Sequence, residues 1–355
     1  MKMMSGLDAR FLFSETKSTP MHTIKVAIVD VSGRSHPLTP DRLRAILESR
    51  LERMPVLRQR IIKIPLGLAN PVVIDDPDFD LERHIHWRTL HAPGGSRELD
   101  ALIARVLTTR LPRDRPLWEL NVVEGLEQGR VAFVVKIHHA LADGVAAVAL
   151  LVNAFLAEDD GAVLDNFEPE PVPASRALYR TAAKATSVVV GSIPRFTRYT
   201  VKGLRLRRLT RKSEDTPVLG PFAGPRTPFN VSLVPDRTFA TLTLDMDTLR
   251  AARTKTGAST NDVFLAICAG GIRRYLLRMD QLPETSLVAS VPVATKTEQH
   301  RLAGNHVDNL FLPIHTDEVD PIQRTRRIHA SASAARRDRH ALGPELFEFR
   351  AGLIP

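Results

Sequence analysis

The sequence predicts an α/β protein built of mixed sheets (α+β) and divided into two domains, and three observations carry that prediction. Residues 23–157 alternate between runs with the period of a strand and runs with the period of a helix. The same alternation resumes at residue 227, after a 158–226 stretch of different composition. The 355 residues also exceed the size at which one hydrophobic core usually stops growing.

Thr23 to Val31 places Ile24, Val26 and Ile28 in alternation, as in a half-buried strand. Thr39-Pro40 opens a helix, with threonine as N-cap and proline at the first helical position; Leu43, Ile46, Leu47, Leu51 and Met54 form its apolar stripe. Leu57 to Pro65 and His84 to Leu90 read as strands, and Ser96 is expected to cap a helix with Leu99, Leu102, Ile103, Val106 and Leu107 inward. Leu117 to Val123 and Arg130 to Ile137 are expected as two strands joined by a turn over Gly125 to Gly129. In the second, Val131, Phe133, Val135 and Ile137 share a face, and His139 follows in the same parity where the strand ends.

Glu158 to Ala174 is acidic and carries Pro169, Pro171 and Pro173, the composition of a linker. Arg176 to Lys212 then holds eleven basic residues, including Arg195, Arg198, Lys202, Arg205, Arg207 and Arg208, and no acidic one. Beyond Thr227, Phe239 to Leu244 alternates as a strand and Asp247 to Thr256 suits a helix. A longer helix is expected over Asn261 to Arg278, with Val263, Ile267, Ile272 and Leu276 inward. Ser286 to Val293 and Asn309 to Ile314 read as strands, and Pro321 to Arg337 as a basic helix. The expected divisions are therefore a first domain over 1–157, a proline-rich and basic crossover over 158–226, and a second domain over 227–355.

Composition narrows the partners. Lysine and arginine number 49 against 40 acidic residues, a formal charge of +9 that favours an anionic membrane face or a phosphate-bearing substrate. Aromatic residues are 5% of the chain, and no basic run is interleaved with stacking side chains, which argues against nucleic acid. Cys268 stands alone, so no disulfide framework or cysteine zinc site is expected, and a reducing, cytoplasmic compartment fits. The N-terminus has no apolar signal core, and the longest apolar stretches fall short of the roughly 18 residues of a membrane span, so membrane contact is expected to be peripheral.

The chemistry concentrates at Ile137-His138-His139-Ala140-Leu141-Ala142-Asp143-Gly144. An imidazole of near-neutral pKa can take the proton of a hydroxyl as its oxygen attacks a carbonyl. Asp143, four positions on, could fix the turn or pair with an arginine, and Gly144 permits close backbone approach. Read from the residues alone, the segment holds either a general base at His139 or two ordinary polar residues at a strand end. A zinc site of His139 and Asp143 lacks a third ligand at suitable spacing, so no metal is expected. Asn261 is either an amide donor to an oxyanion or a helix N-cap, with Asp262 beside it, and Trp118 reads as a core or interface anchor. The basic stretch is an electrostatic foot for an anionic membrane, a collar for phosphates, or a solvated helical linker.

Lys136 to Gly144 resembles the HHxxxDG motif of the bacterial wax ester synthase/diacylglycerol acyltransferase family. That family belongs to the wider HxxxD acyltransferases, with chloramphenicol acetyltransferases, plant BAHD enzymes and condensation domains. Further segments follow in the family's order: Ser5-Gly6-Leu7-Asp8-Ala9-Arg10-Phe11-Leu12 with Pro20-Met21-His22, Arg115-Pro116-Leu117-Trp118, Thr227-Pro228-Phe229-Asn230, Thr260-Asn261-Asp262-Val263 leading into Cys268 to Leu276, Ser290-Val291-Pro292-Val293, and Gly304-Asn305. The resemblance implies two chloramphenicol-acetyltransferase-like domains with a channel between them, His139 as general base, and Asp143 holding the loop through an ion pair. It implies long-chain acyl-CoA as co-substrate without a bound cofactor, and diacylglycerol or a fatty alcohol as acceptor. The expected location is cytoplasmic, at an anionic membrane or lipid-droplet surface. Family members continue past the position of Pro355, so the second domain is expected to be incomplete at its C-terminus. A condensation-type enzyme with another acceptor, or a truncated relative that binds lipid or acyl-CoA without turnover, are the alternative readings.

Overall fold

A computed structural model of the chain describes residues 1–33, 37–155, 169–187, 223–294 and 301–342. Its centre is a four-stranded mixed sheet in the order β2 (His22–Asp30), β7 (Arg130–His138), β6 (Trp118–Glu124), β5 (Ile85–Thr89). The first three strands run antiparallel and β5 joins β6 in parallel. Both faces of β7 are buried, which explains its apolar run. Val131, Phe133, Val135 and Ile137 meet Leu43, Leu47 and Leu51 of α2 (Pro40–Leu51) and Leu150 of α4 (Gly144–Phe155). Ala132 and Val134 meet Leu99, Leu102, Ile103 and Val106 of α3 (Ser96–Thr108) on the other face.

Local chemistry sets the helix starts. The Thr39 hydroxyl accepts the Arg42 N–H at 3.3 Å at the start of α2. At α3 the expectation is corrected by one position: Gly95 is the cap and Ser96 the first helical residue. The Glu98 carboxylate reaches back to the Gly95 N–H at 2.9 Å. Gly94, at φ +73°, precedes it, and a β-carbon there would stand 2.0 Å from the Gly125 carbonyl oxygen. The close approach of the two turns thus requires glycine at position 94.

A small antiparallel sheet, β1 (Lys2–Met3), β4 (Val72–Asp75) and β3 (Gln59–Ile62), lies beside α1 (Gly6–Ser14). Helix α5 covers residues 175–187, with Leu178 and Ala182 packed on Ile64 and Val72. In the later half, α6 (Met246–Thr256) and α7 (Thr260–Arg278) precede the hairpin-like pair β8 (Val288–Ala294) and β9 (Val307–Pro313), and α8 (Pro321–Leu342) follows. Ala266 and Ala269 of α7 pack against Leu310 and Leu312 of β9 and Ile328 and Ala332 of α8.

Two expectations for this half are corrected. Phe239 to Leu244 joins no ladder among the described residues; the Asp100 carboxylate takes the Thr241 N–H at 3.1 Å, and Phe239 packs beside α3. Ile267 is 39% exposed and not inward, because small Ala266 and Ala269 form the line along which α8 approaches. Residues 156 and 157 of the first expected domain, and 158–168 and 188–222 of the crossover, lie outside the described residues, and with them Arg195, Arg198, Lys202, Arg205, Arg207 and Arg208. Among the described residues, no helix is long and apolar enough to cross a membrane.

Candidate active site

Strand β7 delivers the doubled histidine, and its pairing with β2 fixes where each ring points. His138 stands opposite His22 in the register, and the His139 N–H continues the ladder to the Met21 carbonyl at 2.8 Å. His138 is fully buried. Its Nδ1 accepts the Ala140 N–H at 3.0 Å and its Nε2 faces Glu15 and Arg113, so neither nitrogen is open to a reactant. Burial lowers the His138 pKa, against the opposing effect of the hydrogen bond its Nε2 gives to Glu15. Burial would raise the Glu15 carboxyl, yet it lies far below the usual range because His138, Arg113 and the Met21 N–H outweigh that effect.

His139 is only partly buried. Its ring stacks on Phe11 of α1, with centroids 4.0 Å apart and planes 10° from parallel. Its Nδ1 lies 2.9 Å from Asn305 Oδ1. The Asn305 amide nitrogen lies 2.7 Å from the His139 carbonyl oxygen and 2.7 Å from Asp8 Oδ1, which also accepts the Asn305 backbone N–H at 2.8 Å.

Asp143 does not touch the His139 ring. One oxygen accepts the Ala146 N–H at 3.0 Å, capping α4, and the other accepts the His306 N–H at 3.0 Å and pairs with Arg301. Burial would raise its pKa, but these two N–H groups and the guanidinium overcome it and hold the carboxyl below its usual range. Arg301 also donates to the Ala303 and Gly304 carbonyls. With the Gly304 N–H to Leu141 at 2.7 Å and the Asp143 N–H to Gly304 at 3.2 Å, the motif loop is strapped to residues 301–306. Gly144 begins α4, and a β-carbon there would meet nothing within 4 Å among the described residues, so close approach does not explain it.

The other sequence candidates sit apart. Trp118 is buried, donates from Nε1 to the Leu57 carbonyl at 2.7 Å and stacks on His84, as an anchor. The cap of α7 is Ser259, not Asn261; Asn261 is exposed on the first turn. Asp262 is buried and bonded to Ser259, His329 and Arg336. No hydrogen bond among the described residues joins Asn261 or Asp262 to the His139 loop. Sequence reasoning assigned no role to Asp8, Phe11, Glu15, Arg113, Arg301 or Asn305. Asp8, Phe11 and Asn305 stood inside quoted motifs, but nothing in one sequence marks Glu15 or Arg113.

The description of the wax ester synthase/diacylglycerol acyltransferase catalytic domain matches residues 4–264. A Mycobacterium tuberculosis H37Rv protein bearing the provisional name diacylglycerol O-acyltransferase is 38% identical over 357 aligned positions, covering 100% of this chain and 75% of that one. A second such protein of the same strain is 33% identical over 341, covering 95% and 72%. Among solved structures, the wax ester synthase/diacylglycerol acyltransferase from Marinobacter aquaeolei VT8 superposes with a TM-score of 0.61 at 25% identity, covering 95% of this chain and 73% of that chain. The first condensation domain of the calcium-dependent antibiotic synthetase shares the fold at a TM-score of 0.56 and 18% identity, covering 97% and 78%.

Fold and relatives together define an acyltransferase of the chloramphenicol-acetyltransferase-like class. Within that class, the chain belongs to the wax ester synthase/diacylglycerol acyltransferase family.

Proposed function

We propose that the chain transfers a long-chain acyl group from acyl-CoA to the hydroxyl of diacylglycerol or a fatty alcohol, with His139 as general base. One observation carries the reading: a partly exposed imidazole held by Phe11 stacking and by Asn305 at Nδ1, which leaves Nε2 as the nitrogen not engaged by Asn305. The acceptor hydroxyl gives its proton to Nε2 as its oxygen attacks the thioester carbonyl. The tetrahedral intermediate then collapses, the carbon–sulfur bond breaks, and the thiolate takes the proton back from the imidazolium to leave as CoA thiol. Asp143 serves the loop and not the proton, since Arg301 and two backbone N–H groups engage its carboxylate.

For lipid substrates a membrane surface is the natural place of work. Arg176, Arg180 and Lys184 are exposed at successive i, i+4 spacing on α5, while Leu178 and Ala182 face inward. That basic stripe supports docking to an anionic surface. Labelled acyl-CoA offered with diacylglycerol and hexadecanol in competition tests the reaction, and His139→Ala is expected to abolish transfer while the fold is retained. Near-normal turnover by that variant overturns the mechanism. Cosedimentation with anionic and neutral vesicles across salt tests docking, and binding indifferent to charge and salt would refute it.

A further inference from the structure

Hydrogen-bond capacities around His139 form a chain that starts outside the motif, at Asp8. An ionised carboxylate only accepts. Asp8 Oδ1 stands 2.7 Å from the side-chain nitrogen of Asn305, so the group facing it is the NH₂ end of the amide. That NH₂ also lies 2.7 Å from the His139 carbonyl oxygen, a second pure acceptor, and both its hydrogens are thereby placed. The amide oxygen is what remains, 2.9 Å from His139 Nδ1, and an oxygen without hydrogen requires that Nδ1 carry one. In the neutral ring, Nε2 then holds the lone pair.

Among the described residues, no contact competes for these roles. Asp8 Oδ2 is occupied by the Ser5 hydroxyl at 2.6 Å, and that hydroxyl in turn accepts the Asp8 N–H at 3.1 Å, fixing the carboxylate in the first turn of α1. Asn305 follows Gly304, whose φ of +76° is a left-handed backbone turn, and the Arg301 and Leu141 contacts clamp that turn. The opposite tautomer would set the Nδ1 lone pair against the amide oxygen. Turning the amide to relieve this would set its oxygen against the Asp8 carboxylate.

We propose that Asp8 and Asn305 are positioning residues that set the tautomer of His139: a carboxylate of the first helix, acting through an amide from residue 305, keeps Nε2 unprotonated. This rests on His139 being the base for its catalytic consequence, but not for the tautomer itself. When Nε2 receives the acceptor's proton, the Nδ1–H bond to Asn305 persists, and the Asp8 carboxylate faces the new cation across the amide.

Long-range proton–nitrogen correlation spectra of histidine-labelled protein, with His139→Ala assigning the resonance, read the tautomer directly. The wild-type ring is expected in the Nδ1–H form. Asp8→Ala and Asn305→Ala are expected to mix or reverse the tautomers and to lower kcat about 10- to 100-fold, with KM for acyl-CoA within about twofold. Asp8→Asn keeps an oxygen that can accept from the amide, so it is expected to restore the wild-type tautomer and most of kcat. A wild-type ring in the Nε2–H form overturns the proposal, even if no variant folds. So do alanine variants that leave tautomer and kcat unchanged. Retained turnover in His139→Ala would instead sink the general-base reading, with the tautomer result standing separately.

Discussion

The ion pair of Asp143 and Arg301 offers a quantitative test of how the motif loop is held. Their side chains are 1% and 11% exposed, so solvent screening is weak. Two unit charges about 4 Å apart attract by roughly 4 kcal/mol at an effective dielectric of about 20, and part of this is spent on desolvation. Asp143→Asn keeps an oxygen to cap Ala146 but leaves Arg301 uncompensated, an expected loss of about 3 kcal/mol. Arg301→Met leaves Asp143 with its two N–H donors and is expected to cost about 2 kcal/mol. In the double variant no buried charge is stranded, so the two losses should fall short of additivity by about 2 kcal/mol. Urea unfolding followed by tryptophan fluorescence suits the measurement, since Trp87 and Trp118 both lie in the central sheet. A coupling below about 1 kcal/mol, the range of exposed pairs, would refute the assignment. Asp143 adds a pH signature. Its folded pKa is lowered from 3.8, so its stabilisation is present above that value and is lost as pH falls through the folded value. In Arg301→Met the folded value moves back up, so this acid loss should be smaller and complete at higher pH.

Three further outcomes follow from other contacts. His84 is buried and its pKa is pushed down to about 4 by burial, so it folds neutral; stability should decline as pH falls from about 6.5 toward 4, by about 3 kcal/mol at the lower end, and His84→Leu should flatten that slope in acid-dependent melts. Trp118→Phe removes the donor to the Leu57 carbonyl and should cost about 1–3 kcal/mol in urea unfolding, with turnover of the folded fraction preserved. Lys136 is fully buried and donates to the Val106 and Thr109 carbonyls at the end of α3; Lys136→Met should destabilise by about 2–4 kcal/mol, and a neutral result would contradict the capping role.

What the sequence made legible follows from periodicity and from caps. Strand β7 could be read because four alternating apolar residues precede His139, and α2 because Thr39-Pro40 marks its start. Strand β4 escaped because Val72–Asp75 is too short for a period to show. Phe239 to Leu244 has the alternation of a strand, but alternation cannot say whether a neighbour will supply the ladder. At the site, His139 and Asp143 were legible because both lie in one short motif. Their partners were not: Asp8 and Glu15 come from α1 and its end, Arg113 from the approach to β6, and Arg301 and Asn305 from the far side of the crossover. Such pairings are made by three-dimensional closure, and no local spacing encodes them.

The strap between the motif loop and residues 301–306 also has a temporal side. His139 and Asn305 are 166 positions apart. At about 5–20 residues per second, a ribosome needs roughly 8–33 s to make the intervening chain. Throughout that interval the residues that strap the motif loop do not yet exist, so the loop can take its folded form only after residues 301–306 have been made.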